Sequence, residues 1–279
     1  MMNDFQDKVA VVTGAASGIG AALVQGCAAQ GMRVVAADID VEGANKTIAS
    51  LNAEDGRALS VEVDVAVPES VASLADRSFD AFGQVDLLFN NAGVFQGGFA
   101  WERSLEDWDW ILGVNVYGII HGIRSFVPRM IAQETEGHVV NTASVAAFVG
   151  GPTSGPYVVS KCAAFSLSES LAYDLGAVGS KIGASVLTPS TFDTGIAHTA
   201  RVRPERYGVD ETADGKGVVG VLSSQIETGR PPSEIVEPVL DAIREDTFLI
   251  PTMPSYRAQL ENRFEALLDR RLPGLAAVD

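Results

Sequence analysis

The stretch from Lys8 to Gly20, KVAVVTGAASGIG, decides the fold, because a short β-branched run passes without interruption into three closely spaced glycines and then into a helical pattern. Glycines between a strand and a helix let the backbone turn sharply. They also let it approach a pyrophosphate, whose charge is met by free N–H groups and the positive end of the helix dipole. The spacing is GxxxGxG and not GxGxxG, and no Gly-Lys-Ser/Thr follows that would mark a nucleoside-triphosphate loop. The next β-branched run, Arg33 to Asp38 (RVVAAD), ends in an acid about 20 residues beyond the loop. A carboxylate there accepts hydrogen bonds from ribose hydroxyls and repels a 2′-phosphate. Ala15, Ala16, Ser17 and Ile39 offer that phosphate no cation, so NAD is favoured over NADP. The plain alternative is that Asp38 caps the following helix.

Working outward, Lys8–Thr13, Arg33–Asp38, Ala58–Val63, Val85–Asn90, His138–Thr142 and Ile182–Leu187 read as strands, nearly continuously apolar as strands buried on both faces are. Helical patterns lie between them at Gly18–Gln30, Val41–Asn52, Pro68–Phe82, Leu105–Gln133 and Tyr157–Ala177. Ser233–Glu245 reads as a capped helix with Ile235, Val236, Val239, Leu240 and Ile243 on one face, and Thr247–Ile250 as a last strand. This alternation predicts an α/β fold, a single doubly wound Rossmann-type parallel sheet of about seven strands with helices on both faces. Residues 1–279 form one domain in this reading, and the weakly periodic segment at about 191–232 is a substrate lid.

Ser144, Tyr157 and Lys161 are the candidate reactive residues. Tyr157 and Lys161 stand four apart on a helical pattern, so both emerge on one face. A tyrosine with an ordinary pKa near ~10 acts as a base at neutral pH only with about 4 kcal/mol of preferential stabilisation of the phenolate. An ammonium and an oxidised nicotinamide nearby both act in that direction. Ser144, just past a strand end, is placed to hydrogen-bond a substrate oxygen.

With these motifs in order, the chain resembles the short-chain dehydrogenase/reductase family over essentially its whole length, most loosely from Thr191 to Arg230. Thr13–Gly20 matches the family's TGxxxGxG loop and Asn90-Asn91-Ala92-Gly93 its NNAG. The resemblance implies a catalytic set of Asn115, Ser144, Tyr157 and Lys161, in which Asn115 holds a helix kink and anchors a water. It implies coenzyme contacts from Gly14, Ser17, Gly18, Ile19, Gly20, Asp38, Asp64, Val65, Asn91, Ala92, Gly93, Tyr157, Lys161, Pro189 and Thr194, with Asp64 accepting from the adenine amino group. It also implies a homodimer or homotetramer packed through the helices of Asn115 and Tyr157, with Ala163, Ala164, Leu167, Leu171 and Leu175 as candidate contacts. One departure is Ser190, where the family usually has Gly. Leu105–Met130, Arg203–Tyr207 and Tyr256–Leu268 resemble the bacterial Cα-dehydrogenases of lignin-type aryl ethers, a hint of an aromatic or alicyclic alcohol or ketone. Besides Ser144 and Tyr157, Phe95, Phe148 and Phe192 are candidate substrate contacts, with Phe99 near them; plain packing is their other reading.

Composition sets the remaining bounds. The 279 residues hold 20 Lys and Arg against 36 Asp and Glu, a net charge of −16, which argues against nucleic acid and against a basic membrane-binding patch. Two cysteines, Cys27 and Cys162, provide no disulfide framework, and His121, His138 and His198 have no ligand spacing, so no metal is expected. His198 is a lid residue that could meet substrate. Trp101, Trp108 and Trp110 read as core or subunit contacts. With a polar start from Met1 to Lys8 and no run of 18 apolar residues, the expected location is cytoplasmic. Alternatives left standing are a hydroxysteroid or sugar-alcohol dehydrogenase, a redox-neutral enzyme that retains NAD, and a catalytically silent NAD-binding protein.

Overall fold

In the computed structural model, which describes residues 2–51, 54, 56–209 and 212–275, seven parallel strands form one sheet in the order β3-β2-β1-β4-β5-β6-β7. The strands are β1 Val9–Thr13, β2 Arg33–Asp38, β3 Ala58–Glu62, β4 Leu87–Asn90, β5 Gly137–Thr142, β6 Ile182–Thr188 and β7 Leu249–Pro251. The α-helices among the described residues are α1 Gly18–Ala29, α2 Val41–Ala49, α3 Pro68–Phe82, α4 Leu105–Leu112, α5 Gly118–Ala132, α6 Gly155–Ala177, α7 Ala213–Ile226, α8 Val236–Glu245 and α9 Tyr256–Leu268. Of the strand contacts, β1 pairs in parallel with both β2 and β4. The chain therefore reverses its winding direction between β1 and β4, which opens a crevice at the carboxyl ends of those strands.

The continuous apolar runs are explained by the two faces. Ala10 and Val12 join Leu23, Val24, Val239 and Leu240 in one core. Val9 and Val11 point the other way into a second core with Leu74, Phe126 and Leu171. Each residue of β1 is buried because each face has a cover.

Several boundaries differ from the sequence reading. The pattern at Leu105–Gln133 is two α-helices joined by a π-turn at Gly113–Tyr117. That interruption escapes periodicity because the apolar face continues through it. Leu105–Ala132 is the one described helix run long and apolar enough to cross a membrane by length and composition; its most apolar window is 44% buried inside the chain. Helix α2 ends at Ala49, and Asn52 lies outside the described residues. The Ser233–Glu245 pattern begins as a 3₁₀ turn, Pro232–Ile235, and α8 has no side-chain cap.

The described part of 191–232 is more regular than its weak periodicity predicts. It holds 3₁₀ turns at Gly195–Val202 and Glu205–Tyr207 and the 14-residue α7. Only Gly215 and Ile226 of α7 are buried. A helix that presents so little to the core carries no apolar stripe, so its period was invisible. Ala164, Leu171 and Leu175 are buried within this chain and belong to its own cores, which removes them as subunit contacts; Ala163 and Leu167 are half-buried.

Candidate active site

At the switch point lies a cleft of about 1010 Å³. Its lining includes Gly14, Ser17, Gly18, Ile19, Gly20, Asp38, Asp64, Val65, Asn91, Ala92 and Gly93 together with Ser144, Tyr157, Lys161, Pro189, Phe95, Phe192 and Thr194. Gly14 has φ +69°, and a side chain on it would come within 2.8 Å of the Ala92 Cα; on Gly20 it would fall 1.9 Å from the Gly14 carbonyl oxygen. The loop backbone is thus packed too closely for any larger residue. Ser17 caps α1 without a side-chain bond, and the first turn has no acid. The N–H groups and dipole of α1 consequently keep their affinity for an anion. The cradle fits the pyrophosphate of a dinucleotide.

Asp38 is held at two points, its Oδ2 accepting from Ala16 N at 2.9 Å and its Oδ1 from Asp40 N at 2.9 Å. The cap of α2 is Asp40, which accepts from Gly43 N, so the capping alternative for Asp38 fails. Burial raises the Asp38 pKa, opposed by the two backbone bonds and by Arg201. Arg201, carried by the 191–232 segment, is a cation that the residues next to the loop did not reveal. Asp64 accepts from Ala66 N at 3.0 Å through Oδ1 and meets Arg206 at 2.6 Å through Oδ2.

Asn91 Nδ2 donates to Thr13 O at 3.0 Å, and Thr13 Oγ1 receives Asn91 N and Ala92 N. The residues after β4 are thereby tied to the end of β1. Asn115 lies in the π-turn, 1% exposed. Its Oδ1 accepts from Val94 N at 2.8 Å, while Nδ2 donates to Val94 O at 3.0 Å and Ser160 Oγ at 2.9 Å. The side chain clamps the β4–α4 loop to α6, one residue from Lys161.

Lys161 is buried, donates to Thr142 O at 3.1 Å, and lies 5.6 Å from the Tyr157 ring centroid. Burial pulls its pKa down to about 8. Burial also pushes the Tyr157 phenol above its ordinary value, and a hydrogen bond with Ser144 works against this. Burial therefore outweighs the Ser144 bond and raises the phenol in the protein alone. Ser144 Oγ accepts from Ala146 N at 3.1 Å, which orients the hydroxyl at the end of β5.

The aromatic candidates separate. Phe95 lines the cleft with its ring centroid 5.1 Å from that of Tyr157. Phe192 reaches the cleft but is 3% exposed beneath the Arg230 guanidinium. Phe148 is buried edge-on against Phe165 at 5.5 Å and does not line the cleft, so it is a packing residue. Phe99 stacks on exposed Trp101 outside it. His198 is exposed and away from the cleft. Trp110 is core, whereas Trp101 is 78% exposed. Missed by sequence reasoning are the α7 residues Val218, Leu222 and Ile226, which supply an apolar wall. The Ser190 hydroxyl accepts from Arg230 Nη2 at 3.1 Å, so this departure ties the base of 191–232 to the segment after β6.

This arrangement of sheet, glycine loop and Ser-Tyr-Lys cluster defines a dinucleotide-dependent class, and the chain belongs to the short chain dehydrogenase family, whose pattern it matches over residues 8–205. It is an oxidoreductase family. A C alpha-dehydrogenase of a Sphingobium species is 35% identical over 273 residues, covering 98% of this chain and 89% of that one. A 1-deoxy-11-beta-hydroxypentalenate dehydrogenase of Streptomyces exfoliatus is 37% identical over 227 residues, 81% of this chain and 82% of that one. Among solved structures, a short chain dehydrogenase/reductase from Burkholderia phymatum in complex with NAD is 40% identical, with TM-score 0.95 and 99% of each chain covered.

Proposed function

We propose that the protein is an NAD-dependent oxidoreductase that interconverts a secondary alcohol and a ketone, with Tyr157 moving the proton. The observation that carries this reading is the presence of Ser144, Tyr157 and Lys161 in the same cleft as the Gly14–Gly20 cradle and Asp38. When bound, NAD supplies the hydride acceptor and, in its oxidised ring, the positive charge that favours a phenolate. Asp38 takes the ribose hydroxyls and Asp64 the adenine amino group. The Ser144 hydroxyl orients the substrate oxygen, and Tyr157 Oη accepts the hydroxyl proton during oxidation or returns it during reduction. A lysine with a pKa of about 8 is mostly charged at neutral pH, so Lys161 favours the ionised phenol and binds ribose. Both amide hydrogens of Asn115 are spent in protein bonds, so a relay water held by this side chain donates to it.

The substrate end is walled by Phe95, Val149, Val158, Val218, Leu222 and Ile226, which suits an apolar aromatic or alicyclic body. The 191–232 segment covers this end as one part of a single-domain chain. A cytoplasmic homodimer or homotetramer is the assembly that accompanies this reading.

The test is Tyr157→Phe, with turnover followed by NADH absorbance over a panel of aryl, alicyclic and steroid alcohols. Turnover falls by about a hundredfold or more while NADH binding persists. A variant that keeps most of the wild-type turnover overturns the assignment, and a wild-type protein that converts substrate with no net NADH change is a redox-neutral enzyme.

A further inference from the structure

Two residues that line the cleft, Asp64 and Arg206, form an ion pair that the dinucleotide reading does not use. Arg206 Nη2 lies 2.6 Å from Asp64 Oδ2, joining residues 142 positions apart. Arg206 belongs to the Glu205–Tyr207 turn of the 191–232 segment, and both it and Asp64, just past the end of β3, line the cleft. The turn beneath Arg206 is fixed. Arg203 meets Asp107 at 2.8 Å with both side chains buried, donates to Gln96 Oε1 at 3.1 Å and to the Tyr207 carbonyl, and lies 4.8 Å over the Trp110 ring. The neighbouring Tyr207 hydroxyl reaches within 3.5 Å of where a side chain on Gly113 would begin, a point 3.4 Å from the Ala66 methyl. Arg206 itself is half-exposed and stacks on Tyr207 at 4.7 Å.

A fixed turn whose one half-exposed charged side chain ties a distant segment to Asp64, at the mouth of the proposed adenosine site, can act as a bar. Resting on the assignment of this cleft to NAD, we propose that Arg206 is a retention residue for the dinucleotide: its bond to Asp64 closes the adenosine end and must open for NAD(H) to be admitted or released. Asp64 Oδ1 already accepts from Ala66 N, and a carboxylate has acceptor sites to spare, so Asp64 holds Arg206 and an amino group together. The bar stays shut in the loaded state and opens only for exchange.

A bar differs from an ordinary contact in kinetics. A residue that only touches the ligand changes the dissociation rate, whereas one that blocks the path slows both directions. Stopped-flow fluorescence of NADH binding, with wild type, Arg206→Ala and Arg206→Lys, separates the two. In Arg206→Ala the association and dissociation rate constants both rise by about twofold to fivefold, the range a half-exposed ion pair supports, while Kd changes less than either. Raising salt from about 0.05 to about 0.5 M speeds both constants in wild type and has little effect in Arg206→Ala. Arg206→Lys, which keeps the charge but not the fork, falls between. Unchanged rates, or a faster dissociation with association unaltered, overturn the proposal while leaving the NAD assignment standing. A wild-type protein that binds no NADH overturns both.

Discussion

The Arg203 guanidinium meets the Asp107 carboxylate at 2.8 Å with the two side chains 5% and 6% exposed, and so fixes the 3₁₀ part of the 191–232 segment to α4. Removing one partner of a buried pair strands the other charge. Arg203→Met is therefore expected to lower unfolding free energy by about 3–5 kcal/mol, read from urea midpoints at constant m. Arg203→Met with Asp107→Asn recovers part of the loss, because the stranded carboxylate is gone. A single variant as stable as wild type contradicts this account.

Asn115 carries three bonds to Val94 and Ser160. Asn115→Ala leaves the Val94 N–H and carbonyl without these bonds, while the Ser160 hydroxyl keeps its bond to the Tyr157 carbonyl, a cost of about 2–3 kcal/mol. Asn115→Asp keeps the bond from Val94 N but turns an oxygen toward Val94 O. Both variants are expected to lose turnover by about tenfold or more with NADH affinity nearly intact. Full activity in either one shows that the clamp is dispensable.

Asp38 faces the cleft with Arg201 as the nearby cation. If Asp38 takes the ribose hydroxyls as proposed, Asp38→Ala removes that acceptor and the repulsion of a 2′-phosphate, and leaves Arg201 uncompensated. The preference for NAD over NADP, measured as a ratio of kcat/KM values, is expected to fall by about tenfold or more. Adding Arg201→Ala takes back part of the gain with NADP. An unchanged ratio in Asp38→Ala refutes the selection role.

His138 in β5 is 3% exposed, with Nε2 2.7 Å from Ser185 Oγ and Nδ1 3.8 Å from Asp246. Burial pulls its pKa down to about 4, against an ordinary value of 6.5. The folded state thus binds this proton less well than the unfolded one. Stability is full above about pH 6.5 and is lost as pH falls toward 4, by roughly 3 kcal/mol at most. Thermal unfolding of wild type and His138→Gln between these pH values tests it, the variant showing a shallower decline. Parallel declines assign the acid sensitivity to other groups.

Much of the site was legible because its chemistry is local. Thr13–Gly20 and Tyr157–Lys161 each need residues a turn or a loop apart, so spacing alone places them on one strand–helix junction or one helix face. Arg201, Arg206 and the α7 wall were not legible, since they reach the cleft from a segment whose exposed helix leaves no periodic trace. Phe148 was misplaced for a related reason: neighbouring Val145, Ala146 and Val149 line the cleft, and only the packing of Phe165 shows that the ring between them turns inward.

By itself the sequence determined the parallel doubly wound sheet, the phosphate cradle and the Ser-Tyr-Lys set, because hydrophobic period and glycine spacing act over a few residues. The tertiary structure decided the π-turn that carries Asn115, the burial that raises the Tyr157 pKa while lowering that of Lys161, and the Arg206–Asp64 ion pair. Each of these depends on desolvation or on contacts between residues far apart in the chain, and neither is encoded in local spacing.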